Sequence, residues 1–223
     1  LNELTATLWI TFKLAGITTI WLLALGTPLA WWLSRRRGAL RTAIETVVAL
    51  PLVLPPTVLG FYLLIAFAPD SVIGAAWQQL TGQPLAFTFS ALVIGSVLYS
   101  LPFVVQPLQT AFQQLPQELL DAAATLGADP RDRWFSLVLP LCRRSFVTAA
   151  GLGFAHTVGE FGVVLMIGGN IPGETRVLSI ALYDQVEALN YAAAHQTAGG
   201  LMVFSFVVLF LLYRGGNGPW RVR

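Results

Sequence analysis

The chain has 223 residues, of which 56% are hydrophobic and 11% charged, with a mean hydropathy of +0.70. A soluble domain carries about 25% charged residues, and no soluble fold of this length hides so much apolar surface, so the bilayer is the solvent for most of the chain. A single cysteine, Cys142, excludes an internal disulfide and a multi-cysteine metal site.

At about 20 residues per span the length accommodates five, possibly six, transmembrane helices in one all-α domain, residues 1–223, with no room for a second soluble unit. The first apolar stretch, Leu8–Leu33, has no basic leader and no clear small-residue cleavage site, so it reads as a span rather than a signal peptide. Its Trp9, Trp21, Trp31 and Trp32 are expected to face lipid, the last two at the inner headgroup belt. The second stretch, Ile44–Ala68, is interrupted where Pro51, Pro55 and Pro56 each lack a backbone donor. A broken helix is tolerated in a membrane only when packed on protein or lining a wet cavity. Two readings follow, a packing kink or a pathway-lining element.

A third stretch spans Phe87–Gln109 and a fourth Phe146–Gly168. The fourth carries His156 and Glu160, one helical turn apart and expected to pair, with Glu160 a gate or structural group; ionisable groups at membrane depth are functional candidates. Val177–Ala194, with Asp184 and Glu187, is expected to be a short external or re-entrant helix. The fifth stretch is Thr197–Tyr213. The Gly151/Gly153 and Gly199/Gly200 pairs suit close helix approach.

Eleven of the thirteen Lys and Arg residues fall into three clusters: Arg35, Arg36, Arg37 and Arg41; Arg131, Arg133, Arg143 and Arg144; and Arg214, Arg221 and Arg223. The positive-inside rule makes these cytoplasmic, which places the N-terminus outside and the C-terminus inside. The basic balance is therefore topogenic, with no nucleic-acid partner implied. No G-x-x-x-x-G-K-[ST] loop, G-x-S-x-G elbow or H-E-x-x-H helix occurs, so the chain has no P-loop to bind ATP and is expected to hold no cofactor or metal.

The inner segment 113–141 is the most specific. Glu118 to Leu126 forms a helix with acid near its start, Gly127 ends it in the left-handed conformation, and Asp129 caps a second helix with Pro130 at its first position. From Asp121 it reads Asp121-Ala122-Ala123-Ala124-Thr125-Leu126-Gly127, nine residues, then Leu137-Val138-Leu139-Pro140. This resembles the E-A-A-x3-G-x9-I-x-L-P signature of ABC importer permeases, with Asp121 in place of Glu and Leu137 in place of Ile. The resemblance implies the type I importer permease fold and makes Glu118, Asp121, Ala122, Ala123, Gly127, Leu137, Leu139 and Pro140 the element that docks on an ATPase.

It extends further. The run from Leu50 to Gly60, the Gly159-Glu160-Phe161-Gly162 core and Gly168 to Arg176 resemble molybdate permease subunits, and parts are shared with sulfate and tungstate permeases. The resemblance implies a cell-membrane homodimer, a cytoplasmic ATPase dimer binding ATP and Mg, and an extracellular or periplasmic oxyanion-binding protein. Pro51, Pro55, Pro56, Glu160, Gly162 and Asn170 become pathway or gate candidates. Arg176, the sole external arginine, is expected to touch the oxyanion or the binding protein, or to pair with Glu174. A proton-coupled transporter using His156 and Glu160, or a hydrolase using Ser100 or Ser145 with His156, has no use for the inner-loop spacing.

Overall fold

The computed structural model describes residues 2–215, and among these every regular element is helical. Helix α1 (Asn2–Arg35) runs 34 residues, about 50 Å at 1.5 Å per residue, longer than a hydrocarbon core of about 30 Å. Gly38, with φ 108°, turns the chain into α2 (Ala39–Ala49), and Arg41 Nε donates to the Leu33 carbonyl at 3.0 Å, satisfying an orphan acceptor at the end of α1. A 3-10 turn, Leu50–Leu52, leads to α3 (Pro56–Phe67), with Pro56 at its first position. Then follow α4 (Val72–Thr81), capped by Ser71, and α5 (Phe89–Gln113), capped by Thr88.

After α5 come α6 (Gln117–Thr125), α7 (Pro130–Arg133), a π-helical turn Trp134–Val138 and α8 (Leu139–Gly159). The π-turn has a local cause. Pro140 has no N–H to give Ser136, and the ladder widens ahead of it so that the Leu139 N–H bonds the Trp134 carbonyl. The chain closes with α9 (Gly162–Gly168), α10 (Leu178–Glu187) and α11 (Tyr191–Gly215).

Among the described residues four helical stretches are long and apolar enough to cross a membrane, at residues 3–35, 89–113, 130–159 and 191–214, and a bent pair of helices over 39–67 makes a fifth if it counts as one span. The five expected segments are present, with three corrections. The second is no mild kink: its halves meet at 109°, because three prolines within six residues leave the helix ladder without donors. The fourth starts at Leu139 and stops at Gly159. Glu160 is extended (φ −67°, ψ 137°), and its carbonyl is taken by the Ser179 hydroxyl rather than by a helical N–H. Nor is Val177–Ala194 one helix. Leu189 at φ 55° divides α10 from α11, and both the Leu189 and Asn190 N–H groups bond back into the last turn of α10.

Helices α1, α5 and α8 form the central bundle, with Leu22, Leu33, Val104, Val105, Phe112 and Ala149 buried between them. A second cluster joins α3, α5 and α9 through Leu63, Phe67, Leu92, Val163 and Ile167. Glycines set these approaches. A Cβ on Gly153 would lie 2.9 Å from Val104, and one on Gly162 would lie 2.6 Å from the Pro56 Cβ. A Cβ on Gly199 or Gly200, by contrast, would meet nothing within 4 Å among the described residues. Trp9 and Trp21 are exposed. Trp31 is half-buried and lies edge-on to Phe112 and Trp134, both at 5.2 Å between ring centroids.

Gly162→Ala should therefore lower stability by about 1–3 kcal/mol, the usual cost of overpacking, while Gly199→Ala leaves it unchanged or slightly higher. Thermal unfolding of the two detergent-solubilised variants checks this.

Candidate functional site

Three groups of side chains carry the candidate chemistry, one at each end of the bundle and one at the breaks between them. At the first end, α6 ends in a Schellman motif. The Ala128 N–H bonds the Ala123 carbonyl and the Gly127 N–H bonds the Ala124 carbonyl, both at 3.0 Å, with Gly127 at φ 90°. Asp129 Oδ1 accepts from the Asp132 N–H at 2.7 Å and caps α7, as its position predicts. Glu118, Asp121, Ala122 and Gly127 are exposed, and Leu126 is 88% exposed. A Cβ at Gly127 would touch nothing, so glycine is required there by backbone conformation and not by space.

Only Leu120 of α6 is buried, so the helix stands on one apolar plug. Leu137, Leu139 and Pro140 belong to the π-turn and the start of α8; Leu137 packs on the core beside the buried Val138, Leu139 is half-buried and Pro140 is exposed. Two residues that the sequence reading treated only as charge or loop join this end. Arg35 Nη1 donates to Gln117 Oε1 at 2.6 Å, and Gln117 Nε2 donates to Asp121 Oδ1 at 2.9 Å. The i, i+4 spacing of Gln117 and Asp121 was a signal for the second contact; nothing local signalled the first, which joins residues 82 apart.

The second group surrounds a cavity of about 460 Å³ where the break in the second span meets the break after α8. Pro56, from the first break, and Gly162 and Glu160, from the second, line it with Tyr99 and His156. Pro51 and Pro55 shape the same corner from the 3-10 turn and the start of α3. The expected His156–Glu160 pair does not form, because the helix ends at Gly159 and Glu160 leaves its register. His156 Nδ1 instead hydrogen-bonds the Ser100 hydroxyl at 2.8 Å, and its ring stacks on Phe103 at 3.9 Å. Glu160 is 4% exposed, and neither carboxyl oxygen has a hydrogen-bond partner among the described residues.

At the opposite end, Gly169 and Asn170 both take positive φ and open a tight loop. Asn170 Nδ2 donates to both Asp184 carboxylate oxygens, at 3.0 and 2.9 Å. Arg176 Nε donates to Asn170 Oδ1 at 2.8 Å and lies 3.6 Å from Asp184. Arg176 thus pairs with Asp184 and not with Glu174, since Asp184 comes back over the loop on α10. The Thr175 hydroxyl, buried beneath, bonds the Gly168 carbonyl at 2.6 Å.

Residues 24–215 match the family described as binding-protein-dependent transport system inner membrane component. The chain belongs to that family. It is a multi-pass inner-membrane transport protein. Over 93% of its length this permease is 59% identical to the molybdenum transport system permease protein ModB of Azotobacter vinelandii, covering 92% of that protein. It is 29% identical to a probable sulfate transport system permease protein of Zygnema circumcarinatum, over 91% of this chain and 70% of that one. Its fold matches a chain of a bacterial alginate ABC transporter, crystallised in complex with an alginate pentasaccharide-bound periplasmic protein. The TM-score is 0.74 at 14% identity, over 96% of this chain and 78% of that chain.

A buried carboxyl without a partner does not stabilise the permease fold. Glu160→Gln should therefore leave the thermal unfolding midpoint unchanged or raised, while oxyanion uptake falls. A lowered midpoint with normal uptake would assign Glu160 to structure alone.

Proposed function

We propose that this chain is the membrane-spanning subunit of an ATP-driven importer for molybdate or tungstate, two near-identical tetrahedral dianions. The single observation that carries this reading is the high identity to the Azotobacter permease over almost the whole chain. The much lower identity to the sulfate permease makes a sulfate-type importer the weaker alternative.

In this reading the chain pairs with a second copy, and an external binding protein delivers the oxyanion. A separate cytoplasmic ATPase dimer, holding ATP and Mg, supplies the work, as this chain has no P-loop of its own. In the same reading α6 and the end of α11 lie in the cytoplasm and the start of α1 outside, which the basic clusters support; Arg221 and Arg223 of the last cluster lie beyond the described residues. The exposed knob of α6, with Ala122, Ala123 and Leu126, suits a helix-in-groove contact with the ATPase. Val53 at the corner of the broken second span is 84% exposed, a geometry that serves the pathway or the second copy. Binding of ATP closes the ATPase dimer and carries the knobs with it, and the corners at Pro51–Pro56 and Glu160–Gly162 reorient to open outward; hydrolysis resets the inward state. Selectivity is left largely to the binding protein, because no arginine or lysine among the described residues lines the cavity at the breaks to grip a dianion.

Gly127→Val forces a β-branched residue to φ 90°, at a cost of about 1–2 kcal/mol. The variant should insert and dimerise normally yet lose ATP-dependent molybdate uptake in vesicles; normal uptake would contradict the docking role of α6. The purified chain alone should show no ATP hydrolysis, which appears only when its ATPase partner is added.

A further inference from the structure

We propose that Arg35 is a positioning residue that ties the coupling helix α6 to the inner end of α1 through Gln117, with Asp121 holding Gln117 in the orientation that makes the tie. The inference rests on α6 being the ATPase-docking element and goes beyond it, because it names how movement of α6 enters the bundle.

The chemistry of the three side chains fixes the direction of each contact. A carboxylate only accepts, so Asp121 must take the NH2 end of the Gln117 amide, which leaves the amide oxygen facing away from it. A guanidinium only donates, and Arg35 Nη1 meets that oxygen at 2.6 Å, while Gln117 Nε2 meets Asp121 at 2.9 Å. Either Asp or Glu at position 121 serves this purpose; an apolar residue does not. Arg35 is half-buried: it lies 4.6 Å over the Trp31 ring, and its Nε and Nη2 atoms are buried without partners while Nη1 meets Gln117 at the exposed surface. Gln117 is therefore the one side-chain acceptor that the guanidinium reaches among the described residues, and losing it would leave the guanidinium with none.

Mechanically, α6 has two attachments to the bundle besides its chain connections: the buried Leu120 and this tie. A helix held by one plug pivots about it; a second, charged attachment at its first residue removes that freedom. The same inner end of α1 also grips the other limb, since Trp31 packs on Trp134 at the start of the π-turn. Displacement of α6 and α7 is thus passed to α1, which packs along α5 and α8 in the central bundle.

The test uses the full transporter, this chain with its ATPase and binding protein in proteoliposomes. Radiolabelled molybdate uptake and ATP hydrolysis are measured together. Arg35→Gln and Gln117→Leu should keep the ATPase bound and hydrolysing, while molybdate accumulated per ATP falls about tenfold or more, the scale of a lost charge-assisted hydrogen bond. The swap Arg35→Gln with Gln117→Arg restores a donor–acceptor pair and should recover coupling, which a purely structural role would not predict. Spin labels at Arg36 and Leu119, both exposed, should report one narrow distance through the ATP cycle in the parent and a broad distribution in Gln117→Leu. Unchanged molybdate per ATP and a narrow distance in Gln117→Leu would overturn the tie. Should Arg35→Gln fail to insert, the exposed Gln117 variant decides alone. The Gly127→Val variant separates the two levels: if it uncouples while the Arg35 and Gln117 variants do not, the tie is wrong and the docking role stands; if it too couples normally, the docking role itself fails.

Discussion

In hydrocarbon a backbone N–H or carbonyl without a partner costs several kcal/mol, so a span can break only where protein replaces the missing bonds. The permease breaks its second span at Leu50–Pro56 and ends α8 in an extended corner at Glu160–Phe161, and the organisation of the molecule follows from having to cover both. It packs the breaks against each other. Pro56 sits on Gly162, Gly60 sits against Val163 and Met166, and a side chain at either glycine would separate α3 from α9. The Ser179 hydroxyl reaches back from α10 to the Glu160 carbonyl, and the Leu178 N–H bonds Thr11 on α1 at 2.9 Å. The outer helices thus exist in part to close the polar accounts of the breaks.

Irregular backbone concentrated in one place leaves the rest of the bundle regular. Helices α1, α5 and α8 run without interruption between the broken corner and the α6 end, and their interdigitated core has two glycine-permitted contacts, at Gly26 and Gly153, both against Val104. A packed core deforms as a unit rather than locally, which suits three helices that link a docking knob to a gate. The peripheral α11 has no buried residues over its apolar window and takes no part in this linkage within the chain.

Much of this was legible in the sequence. The spans followed from hydropathy, and the inner hairpin from Gly127, Asp129 and Pro130, whose conformational preferences are local and strong. What was not legible depends on long-range return of the chain. His156 and Glu160 have helical spacing, and only the termination at Gly159, enforced by a serine nineteen residues on, shows that they part. Arg176 has Glu174 as its nearest acid in sequence but meets Asp184, because α10 folds over the loop. Arg35 belongs to a cluster of four topogenic charges, and charge counting assigns a side of the membrane to such a residue but not a partner.

The most direct measurement concerns the knob itself. A cysteine placed at Leu126, 88% exposed at the tip of α6, can be probed with a membrane-impermeant maleimide in sealed right-side-out and inside-out vesicles, with and without the ATPase subunit, the native Cys142 being buried. Labelling confined to inside-out vesicles and suppressed by the bound ATPase is the predicted result. Labelling from the outer face, or inner-face labelling that the ATPase leaves untouched, would contradict the account.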